Sequence, residues 1–182
     1  MQTYDKGELA KNILLGLAAG GFIVAACALP GLPQVMTLFR TKDSDDRTRI
    51  LRAISRLQKR KLVRIFSRGG EDVVEITQAG KKKVLIYRME EMKIVPQKKV
   101  DGIWRVVMFD IPESKSAARR AVSYWIKEVG MYAIQKSVFV SPYPCKDEID
   151  FLGEFFGVRS HIVYMEAEMI EREEKVRKHF DL

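Results

Sequence analysis

Ser44–Ile76 reads SDDRTRILRAISRLQKRKLVRIFSRGGEDVVEI, and the change of hydrophobic period within it decides the fold. Asp43, Ser44, Asp45 and Asp46 open a helix, because a Ser or Asp cap and acids in the first turn suit the exposed N–H groups there. The helix runs to about Lys61. Ile50, Leu51, Ile54 and Leu57 recur at helical spacing and form its apolar face. Arg49, Arg52, Arg56 and Lys59 fall opposite, within an arc of roughly 80°. The period then shortens: Leu62–Phe66 is a strand, 67–72 with its two glycines a turn, and Val73–Ile76 the return strand. Thr77 caps a further helix, about Gln78–Lys93.

The exposed middle of the first of these helices is all cationic. Residues 40–64 hold ten Lys/Arg and three Asp/Glu. A merely solvated helix face would mix acids with bases at i,i+4 spacing. The chain of 182 residues carries +8 overall, with 20 Lys/Arg against 10 Asp/Glu in residues 1–100 and 12 against 14 in residues 101–182. A basic surface confined to one half implies a polyanionic partner. The composition, 47% hydrophobic and 31% charged, excludes disorder and suits one or two small domains. Two distant cysteines, Cys27 and Cys145, exclude a disulfide scaffold or a multi-cysteine zinc site. His161 and His179 lack metal-type or triad partners nearby in sequence, and no Gly-rich phosphate loop occurs.

Upstream, no charge separates Lys11 from Arg40, and Ile13–Leu29 is almost wholly apolar. About 20 such residues can span a bilayer. Val24-Ala25-Ala26-Cys27 even imitates a lipoprotein cleavage box, but a basic downstream chain of nucleic-acid type argues against export. The segment is read as one buried helix of the first domain, ended by Pro30, Gly31 and Pro33, with a membrane span as the alternative. The expected location is cytoplasmic.

Downstream, Lys93–Gly102 reads as a linker. Ile103–Phe109 is an apolar strand and Lys115–Val129 a helix with Ala118, Val122, Trp125, Ile126 and Val129 inward. Tyr132–Ile134 and Ser137–Val140 are strands. Asp147–Phe156 is a helix with Ile149, Leu152, Phe155 and Phe156 inward, and His161–Met165 is a last strand. The order βαββαβ is ferredoxin-like, and a charged helix, Glu168–His179, follows. The expected class is therefore α+β, with three parts: a winged helix-turn-helix domain over 1–95, a ferredoxin-like domain over 101–168, and a C-terminal helix over 169–182.

Two resemblances follow from these residues. Leu57–Val63 and Ile76–Gly80 resemble the segments that flank the wing of winged helix-turn-helix domains. In such domains the helix before the hairpin enters the major groove. Val106–Pro112, Gly130 and Gln135–Phe139 resemble the small CRISPR-associated endonuclease of the spacer-integration complex. The same fold stands behind an N-terminal winged helix in the PaaX-like transcriptional repressors, and the chain is most similar to that two-part arrangement. The resemblance implies a repressor that binds double-stranded DNA as a homodimer on a palindromic site. Arg47, Arg49, Arg52, Arg56, Lys59, Arg60, Arg64 and Arg68 are the expected DNA contacts, and no cofactor is needed for binding. Some PaaX-like members answer to an acyl-CoA; a small-molecule effector fits the resemblance, but no acyl-CoA pocket is recognisable. The alternative is a metal-dependent endonuclease. It would use Asp110, the position of the strand-ending Asp that can share one Mg²⁺ or Mn²⁺ across the nuclease dimer. Glu113 and Ser114 fit helix capping, and Arg105, Lys115, Arg119, Arg120 and Lys136 would supply positive charge nearby. His161, Trp104, Trp125, Met89 and Met92 read as packing residues, and Cys145 has no convincing base beside it.

Overall fold

Helix α1 (Lys6–Gly20) leads into strand β1 (Phe22–Ala25), and α2 (Ser44–Lys59) into the hairpin β2 (Val63–Arg68) and β3 (Glu71–Ile76), followed by α3 (Gln78–Glu91). The structure is a computed structural model and describes residues 6–20, 22–25, 44–68 and 71–182. The chain divides into two units, Met1–Glu90 and Glu91–Leu182.

The first unit is built on a three-stranded antiparallel sheet of order β1-β3-β2. Ile13, Leu14 and Leu17 of α1 join Ile50, Ala53, Ile54 and Leu57 of α2 in one core, with Leu62, Val63, Val74, Ile76 and Val84. Each such large side chain, fully buried, stabilises the unit by roughly 1.5–3 kcal/mol. Leu51 is only half-buried at its margin. The single buried helix expected over 13–29 is corrected here. The helix ends at Gly20, and Phe22–Ala25 pairs with β3 as a strand; residues 26–29 lie outside the described residues. Glycines at 20 and 21 are poor helix formers, while Phe22, Ile23 and Val24 favour a strand once an edge is offered. Among the described residues no helix is long and apolar enough to cross a membrane.

The end of α2 explains how the hairpin is seated. Lys61 adopts φ 58°, the Leu62 N–H bonds to the Leu57 carbonyl at 2.9 Å, and the Lys61 N–H bonds to Gln58 at 2.8 Å. This is a Schellman closure with lysine where glycine is usual. Thr77 then ties the far strand to it. Its hydroxyl is directed to the carbonyls of Lys61 (2.7 Å) and Leu62 (3.1 Å) and accepts the Gly80 N–H at 3.1 Å. The expected capping role of Thr77 is thus present.

In the second unit, β4 (Trp104–Phe109), α4 (Ser116–Glu128), β5 (Tyr132–Gln135), β6 (Val138–Ser141), α5 (Lys146–Phe155) and β7 (Ile162–Ala167) precede α6 (Glu173–His179). The strands form an antiparallel sheet of order β5-β6-β4-β7. Two crossover helices and this order make the domain ferredoxin-like. Alternation puts Val107 and Phe109 on one face of β4 and Trp104 and Val106 on the other. Phe109 stacks on Phe139 with centroids 5.8 Å apart, and Val122, Ile126, Ile149 and Leu152 of the crossover helices are fully buried. Phe155 and Phe156 are only half-buried. On the other face Trp104, Val106 and Val140 receive Val176 of α6, with Ile170 and Phe180 against them.

The segment expected as a linker belongs to this unit. Ile94 is buried, its N–H bonds to the Val129 carbonyl at 2.8 Å, and the Lys93 ammonium donates to the Glu128 carbonyl. The last helix begins at Glu173 rather than Glu168, because Arg172 takes the left-handed φ of 61°. The five residues before Glu173 stay non-helical and let Ile170 turn onto the sheet.

Candidate nucleic-acid interface

Helix α2 keeps its two faces apart. Ile50, Ala53, Ile54 and Leu57 are at most 6% exposed, whereas Arg49, Arg52, Arg56, Lys59 and Arg60 are all exposed. Of Arg47, the structure describes only its place in the first turn. Arg56, Lys59 and Arg60 border a cleft of about 390 Å³ with Gly7 and Ala10 of α1 and Tyr87 of α3. The Tyr87 ring holds Lys83 Nζ at 4.5 Å and Lys11 Nζ at 5.3 Å from its centroid. Three cations at the end of α2 thus share a cleft with a phenol ring that holds one lysine each from α1 and α3. Lys11, Lys83 and Tyr87 are not singled out by the sequence, since their meeting depends on how α1 and α3 flank the end of α2. Arg49 and Arg52 lie further back along α2, outside this cleft.

The two hairpin arginines differ. Arg64 on β2 faces Glu75 across the β2–β3 ladder and forms an ion pair with it, while its guanidinium carbon lies 5.3 Å from the Phe66 ring centroid. Its charge is partly answered within the sheet. Arg68 is exposed at the end of β2, opposite Glu71 in register. The tip, residues 69–70, lies outside the described residues.

Asp110 is exposed just past β4, with its N–H bonded to the His161 carbonyl at 3.0 Å. Glu113 is held by Arg119 at 2.7 Å. Among the described residues no group of three or more Asp, Glu, His or Cys side chains could hold a metal ion. Asp110 alone would be one carboxylate ligand, and a hard cation there would take its other ligands from a second copy, water or phosphate.

Arg105 does not serve as surface charge near Asp110. It is 5% exposed, and its guanidinium donates to Asp101 (2.7 Å), Ile103 O (2.9 Å) and Pro142 O (3.0 Å). The Arg105 hydrogen bonds hold the Asp101 carboxyl down to about 2. The ammonium of Lys115 reaches the Gly157 carbonyl at 3.3 Å. Cys145 is buried, and burial with Glu148 nearby pushes its thiol up to about 12.

Residues 97–178 match the family model of the PaaX protein central Cas2-like domain. That domain class fits a transcriptional regulator and agrees with the strand order of the second unit. No curated protein matches the chain.

Proposed function

We propose that this protein is a repressor that binds double-stranded DNA as a homodimer. The observation that carries the reading is the exposed cationic face of α2 from Arg49 to Lys59, set opposite a buried apolar face and followed directly by a β-hairpin. Helix, strand, helix and hairpin, with β1 beside β3, supports a winged helix-turn-helix reading of the first unit. In this reading α2 lies in the major groove, Arg49 and Arg52 reach bases or phosphates, and Arg56, Lys59 and Arg60 contact the backbone. Arg47 belongs to the same helix, Arg68 sits on the wing, and Arg64 contributes only when released from Glu75. Repression follows from occupying a promoter, and the site of action is cytoplasmic. An effector, where one acts, changes the fraction of protein on DNA.

The second unit supports the dimer. Strand β7 is an edge of the sheet, and Val163 (52%) and Met165 (40%) remain exposed on it. An unpaired apolar edge invites pairing, and two copies of the same edge about a two-fold give a self-complementary contact. A Val163→Glu, Met165→Glu chain should then run as a monomer in sedimentation analysis while the wild type runs as a dimer.

The main test is selection of bound fragments from sheared genomic DNA in chelator. One palindromic motif is expected, with Arg52→Ala, Arg56→Ala weakening binding and lowering its salt slope by about 2. Random fragments retained equally by wild type and variant would overturn the reading. Cleavage through Asp110 would need a second carboxylate, from a partner copy, and no step is assigned to it. Asp110→Ala should leave duplex affinity unchanged.

A further inference from the structure

The second unit carries a basic cleft that the reading above does not use. It has a volume of about 700 Å³. Arg119, Arg120, Tyr124 and Lys127 of α4 form one wall, and Lys136 and Ser137 of the β5–β6 turn form the other. Among the described residues no carboxylate lines it. Arg119 is answered by Glu113, but Arg120, Lys127 and Lys136 have no ion pair among the described residues. Arg120 and Lys127 share a helix face opposite Val122 and Ile126, both fully buried, so these two charges point away from the core. The half-sequence around them is net acidic, 12 Lys/Arg against 14 Asp/Glu, which makes the local concentration of cations a feature of placement.

The spacing selects the ligand. Arg120 and Lys127 lie two turns apart, about 10 Å along the helix axis. That spacing suits successive phosphates of a chain. Between them stands Tyr124, 56% exposed, its ring steadied edge-on by Trp125 with centroids 5.3 Å apart. An exposed aromatic ring within a cationic groove is the arrangement that stacks a base while the backbone is held electrostatically. A paired base in a duplex offers no free face to such a ring.

We propose that this cleft binds a short stretch of single-stranded nucleic acid. Its phosphates lie along Arg120, Lys127 and Lys136, and one base stacks on Tyr124. The site is independent of the duplex-binding face of the first unit and does not rest on that assignment.

The test uses the full chain and a fluorescein-labelled oligothymidylate of about ten nucleotides, read by anisotropy and by quenching of Trp125. Lys127→Glu, Lys136→Glu should weaken binding at least about tenfold and reduce the salt slope by about 1.4. Tyr124→Ala should cost about fivefold or more, while Tyr124→Phe should keep the affinity. Arg52→Ala, Arg56→Ala should lose duplex binding and retain the oligothymidylate. Circular dichroism confirms folding of each exposed-site variant. The proposal is overturned by any of three results. One is an oligothymidylate that does not bind or is insensitive to Lys127→Glu, Lys136→Glu. Another is loss of its binding in Arg52→Ala, Arg56→Ala. The third is competition by thymidine monophosphate as strong as that of the oligomer, which would make the cleft a nucleotide pocket.

Discussion

Replacing Gly80 by Ala tests how the hairpin is seated on α3. A Cβ at position 80 would stand 2.1 Å from the Leu62 carbonyl oxygen and 2.6 Å from Ile76 Cγ1. Neither neighbour yields easily. The Leu62 carbonyl already accepts the Thr77 N–H at 3.1 Å, and Ile76 is 5% exposed in the core. Overpacking of this kind costs about 1–3 kcal/mol. Moving α3 away would also give up about two hydrogen bonds around Thr77, at roughly 1 kcal/mol each. The better helix propensity of alanine offsets about 1 kcal/mol. The net expectation is destabilisation by about 2–4 kcal/mol. Gly16→Ala in α1 is the control. Nothing lies within 4 Å of its added Cβ, so propensity acts alone and stabilises by up to about 1 kcal/mol. Urea unfolding followed by far-ultraviolet circular dichroism reads both variants, and the Gly80→Ala midpoint should fall by roughly 1–2 M. The chain's two tryptophans, Trp104 and Trp125, both belong to the second unit, so the fluorescence transition should stay in place as an internal reference. A Gly80→Ala protein as stable as the wild type would refute the close approach of α3 to the Leu62 carbonyl.

Three further outcomes follow from local electrostatics. The Asp101 carboxyl, held to about 2 beside Arg105, contributes its stability fully above the ordinary carboxylate range near pH 4 and loses it as pH falls towards 2. The stability gap between wild type and Asp101→Asn should therefore narrow across that window, and a gap constant from pH 7 to pH 2 would contradict the pairing. Glu75→Gln releases Arg64 and removes a negative charge beside it, so duplex affinity should rise a few-fold, with a steeper salt dependence. An unchanged affinity in gel-shift titration would remove Arg64 from the interface. Cys145, buried with its thiol raised to about 12, should resist iodoacetamide at pH 8 until urea unfolds the second unit. Peptide mapping that finds it alkylated in native protein would contradict that burial.

Much of the fold is legible in the sequence because its signals are local and periodic. The 3.6-residue recurrence of Ile50, Ile54 and Leu57, followed by alternation and two glycines, marks α2 and the hairpin. The βαββαβ order emerges in the same way. Where reading fails, non-local partners decide. The apolar run from Ile13 looks like one helix, since periodicity says little when every position is apolar; pairing with β3 makes Phe22–Ala25 a strand. The left-handed turn at Arg172 has no glycine to announce it. At the interface, the cationic face of α2 is plain from spacing, but the pairing of Arg64 with Glu75 depends on ladder register. The meeting of Lys11 and Lys83 on Tyr87 depends on tertiary placement. In the second unit, Lys127 and Tyr124 are unremarkable in sequence until the β5–β6 turn brings Lys136 to the same cleft.

The way α6 closes the sheet bears on how this gene tolerates change. Val176 is fully buried, and together with Phe180 it covers Trp104, Val106 and Val140. The helix Glu173–His179 is short and highly charged, of a kind usually regarded as dispensable. Its loss would uncover a tryptophan and two valines on one face of the sheet of the second unit. Protein lacking it should therefore collect in inclusion bodies or be degraded, and substitutions at Val176 should be purged as strictly as those in a central strand.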